Sequence, residues 1–174
     1  MSIPSGWEGI LDAHEDIIWQ GRPDGAMVWK VSNFATFLFG MAFSGFALFW
    51  MVMAASAGGG FWMFGLIHFF VGIGIGIGPI FWSTHRRRNT WYTLTNKRAI
   101  IATDIPMRGR KLKSYPITKT TVLGIDTSDP ASITFATERR RRKNGSYEVK
   151  IGFERIENGK QVYTLLRDIQ KEAA

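Results

Sequence analysis

The residues best placed to do chemistry in this sequence are its cations, and the longest run of them is Arg139-Arg140-Arg141-Arg142-Lys143. It stands immediately before Asn144-Gly145, a dipeptide that favours the tight turn of a β-hairpin. Like charges crowded at a hairpin tip repel one another, so an anionic partner relieves an electrostatic penalty. Beside an anionic leaflet each basic group contributes about 1 kcal/mol of attraction. Arg86-Arg87-Arg88 forms a second set, and Arg108, Arg110, Lys111 and Lys113 surround a predicted turn as a third. The expected ligand of Arg139, Arg140, Arg141, Arg142 and Lys143 is an anionic lipid headgroup or a protein partner. Arg86, Arg87 and Arg88 are also candidates for lipid or partner contact, but their first reading is a positive-inside topology signal.

Other chemistries lack their residues. There is no cysteine, which excludes disulfides, thiolate metal sites and thiol catalysis. No Gly-x-Ser-x-Gly elbow, no phosphate loop ending in Gly-Lys-Ser/Thr and no His/Asp/Glu cluster is present, so no enzyme, metal site or cofactor is expected. Glu154 and Glu157 stand three apart with Arg155 and Arg167 as available ion-pair partners, a pattern of surface pairing. A nucleic-acid surface needs exposed aromatics interleaved with the cations. Only Trp91, Tyr92, Tyr115 and Tyr147 come near, and Tyr92 and Tyr115 fall in strand patterns, so nucleic acid is not an expected partner.

The elements that hold these cations are set by how charge is distributed. The net charge is +8, yet residues 31–84 contain no Asp, Glu, Lys or Arg. Residues 1–30 carry a net −3 and residues 85–174 a net +11. A helix needs about 20 apolar residues to cross a bilayer core, and the uncharged window holds two such helices. The turn is Ala54-Ala55-Ser56-Ala57-Gly58-Gly59-Gly60, small and flexible. The predicted segments are therefore an N-terminal stretch at 1–30, transmembrane helices at 31–54 and 61–83, and an external turn at 55–60 between them. A cytoplasmic β domain follows at 84–174. Trp29 and Trp50 bracket the first span and Trp62 and Trp82 the second, at separations of 21 and 20 residues. That spacing is about 30 Å along a helix and suits two interfacial belts. Because the turn is uncharged whereas His85-Arg86-Arg87-Arg88 follows the second helix, both termini are expected in the cytoplasm. The first 25 residues are polar and acidic, without the apolar stretch of a signal peptide.

Within the second helix, Gly72, Gly74, Gly76 and Gly78 alternate with isoleucine ahead of Pro79. On a helix, Gly72/Gly76 and Gly74/Gly78 make two small-xxx-small grooves on roughly opposite sides. One is expected to pack on the first helix, which offers Gly40, Ser44, Gly45 and Ala47. The other is expected to face a partner membrane protein or a second copy. His68, the only ionisable side chain in the spans, is a weak candidate for a transporter or membrane-enzyme centre.

Beyond Arg88 the sequence turns to short β-like runs at 90–95, 98–103, 111–117, 122–127, 132–138 and 147–153. It ends in an amphipathic helix near 160–172, with Asn158 as N-cap and Val162, Leu165, Leu166 and Ile169 as its apolar stripe. Residues 16–22 read as one more strand, separated from the rest by the hairpin. The run Glu15-Asp16-Ile17-Ile18-Trp19-Gln20-Gly21-Arg22-Pro23 resembles the opening of bacterial pleckstrin-homology-like membrane proteins. The run Trp91-Tyr92-Thr93-Leu94-Thr95-Asn96-Lys97-Arg98-Ala99-Ile100-Ile101 resembles their strand–turn–strand, and Gly152-Phe153-Glu154-Arg155-Ile156-Glu157-Asn158-Gly159 their ending. The resemblance implies a membrane α + β architecture: a two-helix transmembrane hairpin carrying a pleckstrin-homology-like antiparallel β-barrel or sandwich capped by the C-terminal helix. It further implies a non-catalytic module in a bacterial inner membrane. The leading expectation is an accessory or scaffold subunit that binds another membrane protein or itself. Sensing of anionic headgroups by the basic hairpin is the alternative.

Overall fold

The uncharged window folds as two helices, α1 (Val31–Ser56) and α2 (Phe64–Arg88), with a single 3-10 turn at Phe61–Met63 ahead of α2. The computed structural model describes residues 7–106, 109–142 and 145–173. It falls into two units, Gly25–His85 and a β domain made from the flanking segments, up to Asp24 and from Arg86 onward.

In the helical unit the closest contact is made by small residues, and most of the large ones are outside. The buried positions of α1 are Gly40, Ser44, Ala47 and Met51. A Cβ at Gly40 would stand 2.5 Å from the carbonyl oxygen of Gly72 and 2.6 Å from the nitrogen of Gly76. The two backbones therefore touch, and only glycine fits. Ser44 donates its hydroxyl to the Phe69 carbonyl across the pair at 3.0 Å. Phe34, Phe46, Phe49, Ile67 and Phe70 are each more than 60% exposed. Both helices are long and apolar enough to cross a membrane.

Helix α2 runs five residues past its expected end at 83. No glycine or proline follows Pro79 until the helix is complete, and Thr90 and Asn89 then close it. The Thr90 hydroxyl donates to the Arg86 carbonyl at 2.7 Å, and the Asn89 N–H to the same oxygen at 3.2 Å. Arg86, Arg87 and Arg88 thus sit in the last helical turn, where cations offset the negative end of the helix dipole.

The β domain has two antiparallel sheets. The first orders β1 (Ile17–Gly21), β2 (Thr90–Thr95), β3 (Arg98–Ile105) and β4 (Gly109–Pro116). The second orders β5 (Gly124–Asp126), β6 (Ala131–Arg142) and β7 (Gly145–Ile156). Among the described residues no ladder joins the sheets into a closed barrel. Helix α3 (Gly159–Glu172) packs its stripe into the space between them. Leu94 and Ala99 from one sheet, Ile133 and Phe153 from the other, and Val162 and Leu166 from α3 are all completely buried. Full burial of each large apolar side chain is worth about 1.5–3 kcal/mol. Asn158 stands at the α3 N-cap position but makes no side-chain cap bond.

Strand β1 pairs with β2 although the helical hairpin separates them in the chain. The pairing is secured at the β2–β3 turn. Glu15, buried beside it, accepts hydrogen bonds from Thr95 Oγ1 at 2.7 Å, from Arg98 Nε at 2.9 Å and from the Asp12 N–H at 2.8 Å. A second Arg98 nitrogen reaches its other oxygen at 2.8 Å. Asn96 takes the Asp16 N–H and donates to the His14 carbonyl, while Lys97 donates to the Ala13 carbonyl. The ends of the insertion are fastened as well, both to β7. Arg155 pairs with Asp24 at 2.7 Å and Arg86 with Glu154 at 3.1 Å.

Burial pushes the Glu15 carboxyl pKa up, but the bonds from Arg98, Asp12 and Thr95 outweigh it and hold the group at about 2, against 4.5 when unperturbed. A carboxylate depressed in the fold stabilises fully above about 4.5 and loses that contribution as pH falls toward about 2. A shift of this size is worth about 3 kcal/mol. In unfolding measurements on the full chain in detergent, Glu15→Gln should therefore lower β-domain stability by about 2–3 kcal/mol at neutral pH. It should also flatten the loss of stability that the parent shows below about 4.5.

Candidate functional site

The three basic sets are scattered in sequence, and β6 decides where one of them points. Strict alternation from Ile133 and Phe135, both core residues, would turn Arg139 and Arg141 inward. Strand β6 instead carries an extra residue. Thr134 pairs with Gly152 and Ala136 with Ile151, so Phe135 has no partner of its own and forms a bulge. Gly152 allows it, because a Cβ there would fall on the Ile133 carbonyl. After the bulge the phase is reversed: Ala136, Glu138 and Arg140 follow the core face, and Arg139 and Arg141 follow the outer one, where Arg142 at the strand end joins them. The basic run is thus the end of a strand rather than a turn, and its charges are divided between two faces. Lys143 and Asn144 lie outside the described residues, as does Arg108.

On the core face the β-sandwich opens into a cleft of about 290 Å³ lined from both sheets. Its floor is apolar, with Ile101, Ile105, Val149 and Ile151. Its rim is cationic, with Arg86 from the end of α2, Lys111 and Lys113 from β4, and Arg140 from β6, while Arg87 is buried behind them with Nε donating to the Asp24 carbonyl. One member or more of each basic set therefore meets the others here. Arg139 and Arg141 stay outside, where Arg139 donates to Ser146 at 2.8 Å. Arg110 is exposed and paired with Asp104.

Two carboxylates order this rim. Glu138 accepts Lys113 Nζ and the Tyr115 hydroxyl, both at 2.6 Å, with Arg140 at 3.6 Å from its other oxygen. The bonds from Lys113 and Tyr115 hold its carboxyl below the usual range, so it stays ionised. Burial and the neighbouring Glu138 carboxylate together push the Tyr115 phenol up, so it stays a donor. Glu154 receives both contacts of the Arg86 guanidinium nitrogen at 3.1 Å, and its backbone N–H donates to the buried Tyr92 oxygen at 3.1 Å. Burial raises the Tyr92 pKa to about 12. Glu154 is therefore paired across the domain with Arg86, not with Arg155 or Arg167. Four exposed cations stand against two carboxylates, and among the described residues Lys111 has no acid within ion-pair distance.

Of the aromatic candidates, Tyr92 and Tyr115 line this cleft from the core side and Trp91 lies outside it. Tyr92 is in the core, Tyr115 packs against it, and Trp91 lies beneath the Arg22 guanidinium at 4.6 Å. A second hollow of about 550 Å³ includes Trp7, Ile10, Trp91 and Leu112 on the outer face of the first sheet, with Arg22 its sole charge. His68 lies on the outside of the helical pair between Phe43 and Phe64, with Nδ1 3.3 Å from the Phe64 carbonyl. No group of three metal-ligating side chains occurs among the described residues. Of the glycines, Gly72 and Gly76 are occupied by α1, whereas a Cβ at Gly74 or Gly78 would meet open space.

No protein-family model, curated protein or solved structure matches the chain.

The glycine geometry separates two substitutions of equal size. Gly72→Leu drives a side chain into Ser44 and the Gly40 backbone and should cost about 1–3 kcal/mol or more in hairpin stability. Gly74→Leu should leave it unchanged, as read from thermal unfolding of the dissociated single chain in detergent.

Proposed function

We infer that this protein is a two-span integral protein of a bacterial inner membrane and that both its termini are cytoplasmic. Its β domain, a pleckstrin-homology-like module, serves as a non-catalytic accessory or scaffold for another membrane protein or a second copy of itself. The observation that carries the reading is the inverted packing of α1 and α2. Glycine, serine and alanine, with Met51 and Ile80, are buried in the helical pair while most of its large apolar side chains lie outside, the reverse of a water-soluble core. Such a surface is satisfied by lipid and is a liability in water.

Three further features support the binding role. The β domain is tethered to the hairpin by two connections rather than one, since the chain leaves it after Asp24 and re-enters it at Arg86. The open Gly74/Gly78 side of α2 offers close approach to a further helix. The resemblance of residues 15–23 and 91–101 to the bacterial pleckstrin-homology-like family points the same way.

A C-terminal tag should resist protease added to intact cells and be cleaved in inverted membrane vesicles; cleavage in intact cells overturns the orientation. Solubilised gently from its own membrane, the protein should run above the mass of one chain, and Gly74→Leu with Gly78→Leu should reduce it toward that mass. A parent that already runs as a single chain rejects the scaffold role.

A further inference from the structure

We propose that the cleft between the two sheets is a binding site for a phosphate monoester carried on a short carbon chain, either a lipid headgroup or a free phosphorylated metabolite. The cations converge from separate elements: Arg86 at the end of α2, Lys111 and Lys113 on β4, and Arg140 on β6. A carboxylate has two oxygens to offer such a ring. A phosphate monoester has three terminal oxygens and close to two negative charges, enough to engage donors from three sides at once. Guanidinium groups match phosphate oxygens in pairs, and the ammonium groups add point charge.

Two observations separate this cleft from an ordinary basic surface. First, its floor is apolar, with Ile101 and Ile151 beneath the cations, so it suits a phosphate with carbon attached better than inorganic phosphate. Its volume of about 290 Å³ fits a headgroup-sized ligand rather than a nucleotide or a peptide. Secondly, the donors are held in place before any ligand arrives. Glu138 clamps the Lys113 ammonium and the Tyr115 hydroxyl at 2.6 Å each, and Glu154 fixes Arg86. Fixed side chains lose less entropy on binding than free ones. Lys111, with no acid of its own among the described residues, is the cation that a ligand would satisfy outright.

The bulge at Phe135 supplies the internal control, since Arg140 faces the cleft while Arg139 and Arg141, of equal charge, face away. The full chain is reconstituted in phosphatidylcholine nanodiscs and its thermal unfolding midpoint measured in three additions: glycerol 3-phosphate in solution, phosphatidic acid in the bilayer, or phosphatidylglycerol in the bilayer. A bound probe about 100-fold above its Kd should raise the midpoint by roughly 5–10 °C. Lys111→Gln with Arg140→Gln should abolish the rise, Lys111→Arg should retain most of it, and Arg139→Gln with Arg141→Gln should leave it intact. A response to glycerol 3-phosphate identifies a free ligand. A response to phosphatidic acid alone identifies a headgroup. No response to either probe overturns the proposal. So does an equal response to phosphatidylglycerol, a diester of the same surface role, or an equal loss in both arginine-bearing variants, because each reduces the effect to general surface charge.

Discussion

The β domain depends on one buried carboxylate. Its first strand is cut from the second by the whole helical hairpin, so β1–β2 pairing closes a very long loop, and loop closure opposes it entropically. Glu15 offsets that opposition with bonds from three directions, a guanidinium, a hydroxyl and a backbone N–H, made to a carboxylate that is itself buried. The charge is tolerable there because Arg98 matches it through two nitrogens. Without the lock, Ile17–Gly21 would be held to β2 by its ladder and by Trp19 on Phe153 alone, with less to oppose exposure of the β2 edge.

The same economy of long-range pairs governs the ends of the insertion. Adjacent residues of β7, Glu154 and Arg155, hold Arg86 and Asp24 respectively, and Arg87 Nε donates to the Asp24 carbonyl at 3.1 Å. The point of departure and the point of return are therefore tied to one strand and to each other. Opposite charges on neighbouring positions make the assignment unambiguous: Glu154 cannot take the aspartate and Arg155 cannot take the arginine. This arrangement lets a domain be interrupted by a membrane-type hairpin without its first strand being lost.

Much of this is legible in the sequence, and the parts that are not share a cause. Local signals place the elements: Tyr92 to Thr95 alternates as a strand must, Val162, Leu166 and Ile169 repeat as a helix must, and the glycine pairs of α2 locate its contact with α1. The end of α2 is harder, since apolarity stops at 83 whereas helical geometry needs only permissive residues and a terminator, here Thr90. Pairing is harder still. Nothing local tells Glu154 to choose Arg86 over its neighbour Arg155, or tells the motif around Glu15 that it belongs with the one around Thr95 and Arg98. Those two runs, noticed separately in the sequence, are the two halves of one contact.

The least legible feature is also the one that shapes the candidate site. A bulge leaves no mark in composition, and its only local trace is Gly152, which sits on the opposite strand and reads as an ordinary strand glycine. Yet it decides the meaning of the arginine run. Without Phe135 as an unpaired residue, Arg139 and Arg141 would line the space between the sheets, and Glu138 would face outward, away from Lys113 and Tyr115. The ordered rim of the cleft would then lose its carboxylate clamp, and the interior would hold like charges with nothing to space them. With the bulge, the inward positions carry one acid flanked by the cations it can hold, and the surplus arginines are turned to the other face. The charge pattern is thus intelligible only after the register is known, because alternation assigns faces and a single extra residue reverses every assignment beyond it.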